Sequence, residues 1–331
     1  MRTALATVTL IAAVTAAGLA RGALGPAPAP AKPPARVFAF LSRADGLELT
    51  RLAQVGKRIS VLAPNWYEVD VDTEALHEPW QPRPVLEAAR RAGVPVWPVV
   101  NARTGGSAAI ADPAARERLA RLIAEVAADG RYAGITLDVE ELLPTQRDDY
   151  SAFVQRLAAL LHGAGRRLAV YAPRPASAGS ALAYDLPALA KAADLLLVAT
   201  YNETGPNAPP GPLDSSAGFD SVLRGTAAVS RTKAVPILGA FGYVWRAAGG
   251  PGQLVSTVDA DRRWERCGTA RTIADGNASY TCGDETVYHA TAAGLRARAR
   301  AAGAAGFRWV ALFSLGREPR SFWDGMAAVR R

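Results

Sequence analysis

The sequence predicts an α/β fold: a (β/α)8 TIM barrel with a small disulfide-linked hairpin insertion before its last strand. Three observations carry this expectation. From Arg36 onward, eight short apolar runs of strand character alternate with amphipathic runs of helical period. The stretch from Arg36 to Arg331 is roughly 295 residues, the size at which eight such units close into a barrel. No interior Pro/Gly/Ser-rich break divides it, so one large domain is expected. An open doubly wound sheet is the structural alternative.

The strand candidates, in order, are Val37–Leu41, Ile59–Ala63, Val94–Val100, Gly134–Glu140, Arg167–Ala172, Leu195–Thr200, Val235–Ala240 and Trp309–Phe313. Helical runs lie between them at Leu47–Val55, Pro84–Ala92, Pro113–Ala128, Thr145–Ala164, Leu186–Ala193, Val222–Ser230 and Thr291–Ala302. Pro84 and Pro113 stand where a first helical turn tolerates a missing N–H.

Composition removes several chemistries. Half of the 331 residues are apolar and 21% are charged, which excludes wholesale disorder and fibrous repeats. There is no CxxC, HExxH, GxxxxGK[ST] or strand-borne GxGxxG, so zinc-cluster, zincin and nucleotide chemistries lose their signatures. The formal charge of +8 comes from Arg, since Lys occurs only at positions 32, 57, 191 and 233. No basic stripe is interleaved with aromatics, so nucleic acid is not an expected partner.

The first residues read as an export signal. Arg2 precedes an uncharged, weakly apolar stretch from Thr3 to Ala20. We expect residues 1–22 to be a signal peptide, with a retained membrane anchor as the alternative. Residues 23–35 include GPAPAPAKPPA, a semi-rigid spacer of polyproline type. The chain is therefore expected to be secreted or held in the cell envelope. Cys267 and Cys282 flank a segment whose Asp275-Gly276 is a hairpin turn signal. A bridge across that hairpin suits an oxidising compartment and would contribute about 3 kcal/mol. Two free buried thiols are the alternative.

The fourth strand carries the chemistry: Ala133-Gly-Ile-Thr-Leu-Asp-Val-Glu140. Alternation puts Thr136, Asp138 and Glu140 on one face, with Ile135, Leu137 and Val139 on the other. In a barrel the polar set points into the lumen. Two inward carboxylates about 6.6 Å apart along the strand repel when both ionise, which suits one to act as a general acid. Both lie at the strand's carboxyl end, where barrel active sites are built. The bland reading is a pair of strand-end residues matched by Arg or solvent. Glu141 is expected to face outward, and His77, His162 and His289 to be surface or capping residues.

These residues resemble the DGxDxDxE motif of glycoside hydrolase family 18, the chitinase-like barrels, and are closest to the bacterial spore-germination and cortex-lytic N-acetylglucosaminidase branch. Glu140 aligns with the catalytic acid and Asp138 with its assisting aspartate, while Ala133 and Thr136 replace two motif acids. Other segments agree in order. Pro64-Asn-Trp66-Tyr67 is similar to SPxWY, and Asn101 ends the third strand as in relatives. Tyr201-Asn202 matches the family's MTYD with Asn for Asp, and residues 209–212 read PPGP. Gly239 to Trp245, with Tyr243, resembles GxPxYGYxW, and Leu312 to Glu318 resembles LWRLGxE with Phe313 at the Trp position.

The resemblance implies hydrolysis of β-linked N-acetylglucosamine polymers by a retaining, substrate-assisted route, in which the substrate's acetamido oxygen is the nucleophile. It implies Glu140 as general acid/base, Asp138 as stabiliser of the acetamido group and Tyr201 as a donor to its carbonyl. Trp66, Tyr67, Asn101, Asn202, Tyr243, Trp245 and Phe313 are the expected substrate contacts. No metal or cofactor is required, the partner is an N-acetylhexosamine polysaccharide, and a monomer is expected. The alternative is a chitinase-like carbohydrate-binding protein with little or no turnover.

Overall fold

The structure, a computed structural model, describes residues 36–42, 46–77, 83–103, 108–175 and 179–326. The expected export signal and spacer lie outside the described residues, and no described helix is long and apolar enough to cross a membrane.

Eight parallel strands form the barrel: β1 (Arg36–Leu41), β2 (Val61–Asp70), β4 (Val99–Arg103), β5 (Gly134–Glu140), β6 (Arg167–Ala172), β7 (Leu195–Ala199), β8 (Ala234–Gly239) and β14 (Trp309–Phe313). Their order around the ring is β1-β14-β8-β7-β6-β5-β4-β2, and β1 pairs with β2 to close it. Closure removes both free edges, which settles the fold against the open sheet. A short β3 (Ala75–His77) folds back antiparallel onto β2.

The helices between strands are α1 (Gly46–Val55), α2 (Arg83–Ala92), α3 (Pro113–Asp129), α4 (Arg147–Gly163), α5 (Leu186–Ala192), α6 (Ser216–Val229) and α8 (Ala292–Ala304). Their starts are written locally. Asp112 accepts the Ala114 N–H ahead of Pro113, and Asp185 does the same for Ala188 ahead of Pro187. Leu119, Ile123 and Val126 of α3 bury one face against the sheet, at the spacing of an amphipathic helix.

β5 alternates as its sequence predicts. Ile135, Leu137 and Val139 are sealed beneath the helices, while the opposite set rises through the lumen. Gly134 lies low in the ring, where a Cβ would press on the Arg167 carbonyl and the Trp97 ring. Thr136, fully buried above it, donates to the Trp97 carbonyl at 3.0 Å. Phe38 meets Trp97 edge-on at 6.2 Å, and Phe40 meets Phe313 at 5.6 Å. The lumen below the carboxylates is thus packed solid, so chemistry is confined to the upper rim.

The insertion before the last strand is larger than the hairpin expected from sequence. It comprises β9 (Phe241–Arg246), β10 (Gln253–Ser256), α7 (Thr257–Cys267), β11 (Thr272–Ala274), β12 (Asn277–Cys282) and β13 (Glu285–Ala290). The strands make one antiparallel sheet in the order β10-β9-β13-β12-β11. α7 packs over it on a small core of Val244, Ala260, Tyr280 and Val287. The β11–β12 hairpin forms as expected, with Asp275 and Gly276 both at positive φ (47° and 77°). Cys267 and Cys282 are bonded, with Cα atoms 5.8 Å apart. However, Cys267 ends α7, so the bridge ties that helix to β12 rather than spanning the hairpin.

His289 departs from the surface or capping role expected of it. It is fully buried in the insertion sheet, with Nδ1 2.9 Å from the Ala290 carbonyl and Nε2 3.9 Å from Asp261. Burial holds its imidazole below the ordinary value, against the pull of the Asp261 charge. His162 is a surface partner of Asp194 at 2.8 Å, and His77 is exposed at the end of β3.

Candidate active site

Asp138 and Glu140 occupy the last turn of the β5 pleat at the carboxyl end of the barrel, both half-buried. The β4–β5 register pairs Asn101 with Asp138 and Val99 with Thr136. Asn101 therefore stands beside Asp138 on the lumen face. One strand further, Glu68 is the register partner of Asn101. Glu141 follows with φ of 61° and an exposed side chain, turning away from the lumen as alternation predicts.

Across the mouth, Tyr201 leaves the end of β7 and packs edge-on against Phe241 at 5.2 Å and beside Phe313 at 6.0 Å. Its hydroxyl is hydrogen bonded to Tyr171. Burial pushes the Tyr201 hydroxyl far above its ordinary value, and the charges of Asp138 and Glu140 push it further. Burial also raises Tyr171 and Tyr184, followed for Tyr171 by Tyr201 and then the two carboxylates, and for Tyr184 by Asp138 and Glu140. The site therefore sets phenol O–H donors, held protonated, around two carboxylates. Tyr184 also donates to the Val139 carbonyl at 2.6 Å, which fixes the backbone between the two acids.

Tyr171 follows Val170, the register partner of Leu137, so it rises beside Asp138. Sequence reasoning passed over it, although the alternation of β6 assigns it to the lumen. Arg174 was also missed. Its Nη1 donates to the Thr200 carbonyl at 2.8 Å, and Nη2 lies 3.5 Å from Glu203. Glu203 in turn accepts the Ser215 N–H and hydroxyl. These links brace the turn that carries Tyr201 and Asn202, and no local pattern announces them.

The expected substrate contacts divide into two groups. Asn101, Asn202 and the half-buried Phe313 are at the mouth, and Asn202, at φ of 60°, accepts a hydrogen bond from the Tyr243 hydroxyl at 2.8 Å. The other four aromatics are buried. Trp66 and Tyr67 close around Tyr132, with the Tyr67 and Tyr132 hydroxyls 2.9 Å apart. A register shift between Asn65 and Tyr67 aligns Tyr67 with Val100, whose parity is opposite to that of Asn101. Trp245 donates to the Pro206 carbonyl at 3.2 Å and lies under the loop that includes residues 209–212. Tyr243 packs on Trp245 at 5.6 Å.

Residues 93–294, more than half of the chain, match the family model of the glycosyl hydrolases family 18. A relative from Bacillus subtilis (strain 168), named as the sporulation-specific glycosylase YdhD, is 22% identical over 204 residues. That match spans 59% of this chain but only 46% of YdhD. Among solved structures, a chitinase from Chromobacterium violaceum superposes with a TM-score of 0.78 at 23% identity, covering 88% of this chain and 98% of that one. The spore cortex-lytic enzyme SleL of Bacillus cereus gives 0.77 at 16% identity, covering 91% and 75%. Both share the fold described here. With a closed barrel, two inward carboxylates on β5 and a matching family model, the chain belongs to glycosyl hydrolases family 18, the glycosidase class that its fourth-strand motif resembles.

Proposed function

We propose that this chain is an exported glycosidase that cleaves β-linked N-acetylglucosamine-containing glycans, of peptidoglycan or chitin type, with retention of configuration. The observation that carries this reading is the placement of Asp138 and Glu140 on one face at the carboxyl end of β5, above a lumen packed with Phe38, Trp97 and Thr136. Glu140, last on the strand, protonates the glycosidic oxygen as the bond breaks. The substrate's acetamido oxygen attacks the anomeric carbon from the opposite face and closes an oxazolinium ring. Asp138 accepts the acetamido N–H and stabilises the positive charge of that ring. The Tyr201 hydroxyl donates to the acetamido oxygen and holds it in line for attack. Water then opens the ring as Glu140 takes its proton back.

Export rests on Arg2, the Thr3–Ala20 stretch and the proline-rich spacer, and the Cys267–Cys282 bridge is chemically consistent with it. The class of glycan is suggested by the chitinase and cortex-lytic names of the similar structures.

One observation favours the carbohydrate-binding alternative. Thr136 and Asn202 stand where relatives carry acids, and both are tied up in the structure, to Trp97 and Tyr243. The deciding experiment is hydrolysis of N-acetylglucosamine oligomers and purified peptidoglycan by wild type and Glu140→Gln. Products from wild type alone support the enzyme. Saturable oligomer binding with no product from either protein would make it a lectin.

A further inference from the structure

Each of the eight parallel strands starts beside a basic side chain. Arg36 opens β1, Lys57 lies in the turn ahead of β2, Arg131 and Arg166 lie ahead of β5 and β6, and Arg308 lies ahead of β14. Arg91 and Lys191 stand in the last turns of the helices that lead into β4 and β7, and Lys233 stands just ahead of β8. In a parallel barrel all of these positions are at the amino end, opposite Asp138 and Glu140.

The acids at this end are few. Asp194 is taken up by Arg167 at 2.7 Å and His162 at 2.8 Å, and Asp129 is the exposed last residue of α3. Glu87 and Asp324 line a cleft with Lys57 and Arg91. Nearer the carboxyl end the arginines are matched instead, Arg147 by Asp185, Arg174 by Glu203 and Arg51 by Glu318. Among the described residues, Lys57, Arg91, Arg131 and Arg308 are exposed and make no ion pair. A helix carboxyl terminus carries about half a negative charge, which accounts for a cation in a last turn, as at Arg91 and Lys191. It does not account for Arg131 and Arg308, which stand beyond the helix ends, or for Arg36, which no described helix precedes.

We propose that this basic face rests on an anionic phospholipid surface, with the mouth of the barrel directed away from it. The path of the chain favours phospholipid over other polyanions. β1 starts at Arg36, so the segment before it joins the barrel at the basic end. Residues 23–35 reach no more than about 45 Å even when fully extended. The stretch ahead of them, Thr3–Ala20, is uncharged and weakly apolar. A bilayer that takes up this stretch keeps the basic end within that reach. Cations that come within a Debye length, about 10 Å at 0.1 M salt, are then drawn to headgroup phosphates. The face adds a second attachment to the first and orients the barrel, and neither effect depends on the glycosidase reading.

The test titrates the full chain with vesicles of phosphatidylcholine alone and with vesicles in which about one-third is phosphatidylglycerol. Thr3–Ala20 can enter both, so the ratio of the two partition coefficients reads the electrostatic part. Wild type should favour the anionic vesicles about tenfold or more at low salt, and the preference should vanish near about 1 M salt. Arg131→Glu/Arg308→Glu changes charges on opposite sides of the ring and should lower the ratio about fivefold or more. Arg262→Glu/Arg266→Glu makes the same change in net charge at exposed positions of α7 and should keep the wild-type ratio. If the first variant melts below wild type, Arg131→Gln/Arg308→Gln replaces it, with a smaller loss expected. A wild-type ratio near one, or equal losses in both variants, overturns the proposal. Binding through this face to a phosphate-rich wall polymer, without preference for anionic vesicles, overturns it in favour of the wall.

Discussion

Asn101 and Asp138 are register partners on adjacent parallel strands, so their side chains leave the barrel wall at one height on the lumen face. An amide beside a carboxylate can hold it in one orientation without adding charge. If Asp138 must present one oxygen to the acetamido N–H, Asn101→Ala should lower kcat/KM on N-acetylglucosamine oligomers about tenfold or more, equivalent to about 1.4 kcal/mol. The melting temperature should stay near wild type. Unchanged kinetics would separate Asn101 from the reaction.

Tyr201 is held protonated by burial and by the two carboxylates, well above the ordinary phenol range. Tyr201→Phe should therefore lower kcat by roughly 10- to 100-fold through loss of an oriented donor. The alkaline limb of the pH–rate profile should keep its position, because the hydroxyl does not ionise in that range. A shifted limb would show that Tyr201 titrates during turnover.

Glu318 is fully buried, 2.9 Å from Arg51 Nε and accepting the Trp323 indole N–H at 2.7 Å. Burial nevertheless dominates and pushes its carboxyl up to about 7, from an ordinary 4.5. A carboxyl raised in the folded state favours folding when protonated. Its contribution is full below about pH 4.5 and is lost as the pH rises through about 7. The difference corresponds to about 3 kcal/mol. Thermal unfolding from pH 4.5 to 8 should show Glu318→Gln losing less stability than wild type over that interval. Parallel curves would refute the assignment.

Gly294 of α8 packs directly on the Gly276 turn, and a Cβ there would overlap the Gly276 backbone. The same turn is held by Asp275, which accepts the Ser216 hydroxyl and N–H at the start of α6, and by Arg298, which donates to the Asp275 carbonyl at 3.0 Å. Gly294→Ala should cost about 1–3 kcal/mol by overpacking. Gly225→Ala in α6 meets open space and should be neutral or stabilising by up to about 1 kcal/mol. Equal melting temperatures for the two variants would contradict this docking.

Much of the barrel was legible because its signals are local. Gly134–Glu140, Arg167–Ala172 and Trp309–Phe313 match β5, β6 and β14 residue for residue. Where a tertiary partner extends an element, the local signal stops early. β2 runs on to Asp70, where β3 and β4 pair with it, well past the apolar run that ends at Ala63. The insertion hid its helix because α7 is mostly polar, and only Thr257 and Ala260 are buried where it meets the sheet.

The sequence by itself determined the alternation of β5, and with it the shared face of Asp138 and Glu140, because side-chain direction along a strand depends on the backbone alone. It also determined the family through motifs spread along the chain. Only the tertiary structure decided how the aromatics pack. Trp66, Tyr67, Tyr243 and Trp245, expected in sequence to contact sugar, are packed against Tyr132, Tyr288 and the Pro206 loop. It likewise decided that Cys267 and Cys282 join a helix to a sheet and that Glu318 lies out of water. Burial is a property of neighbours distant in the chain, and no local pattern carries it.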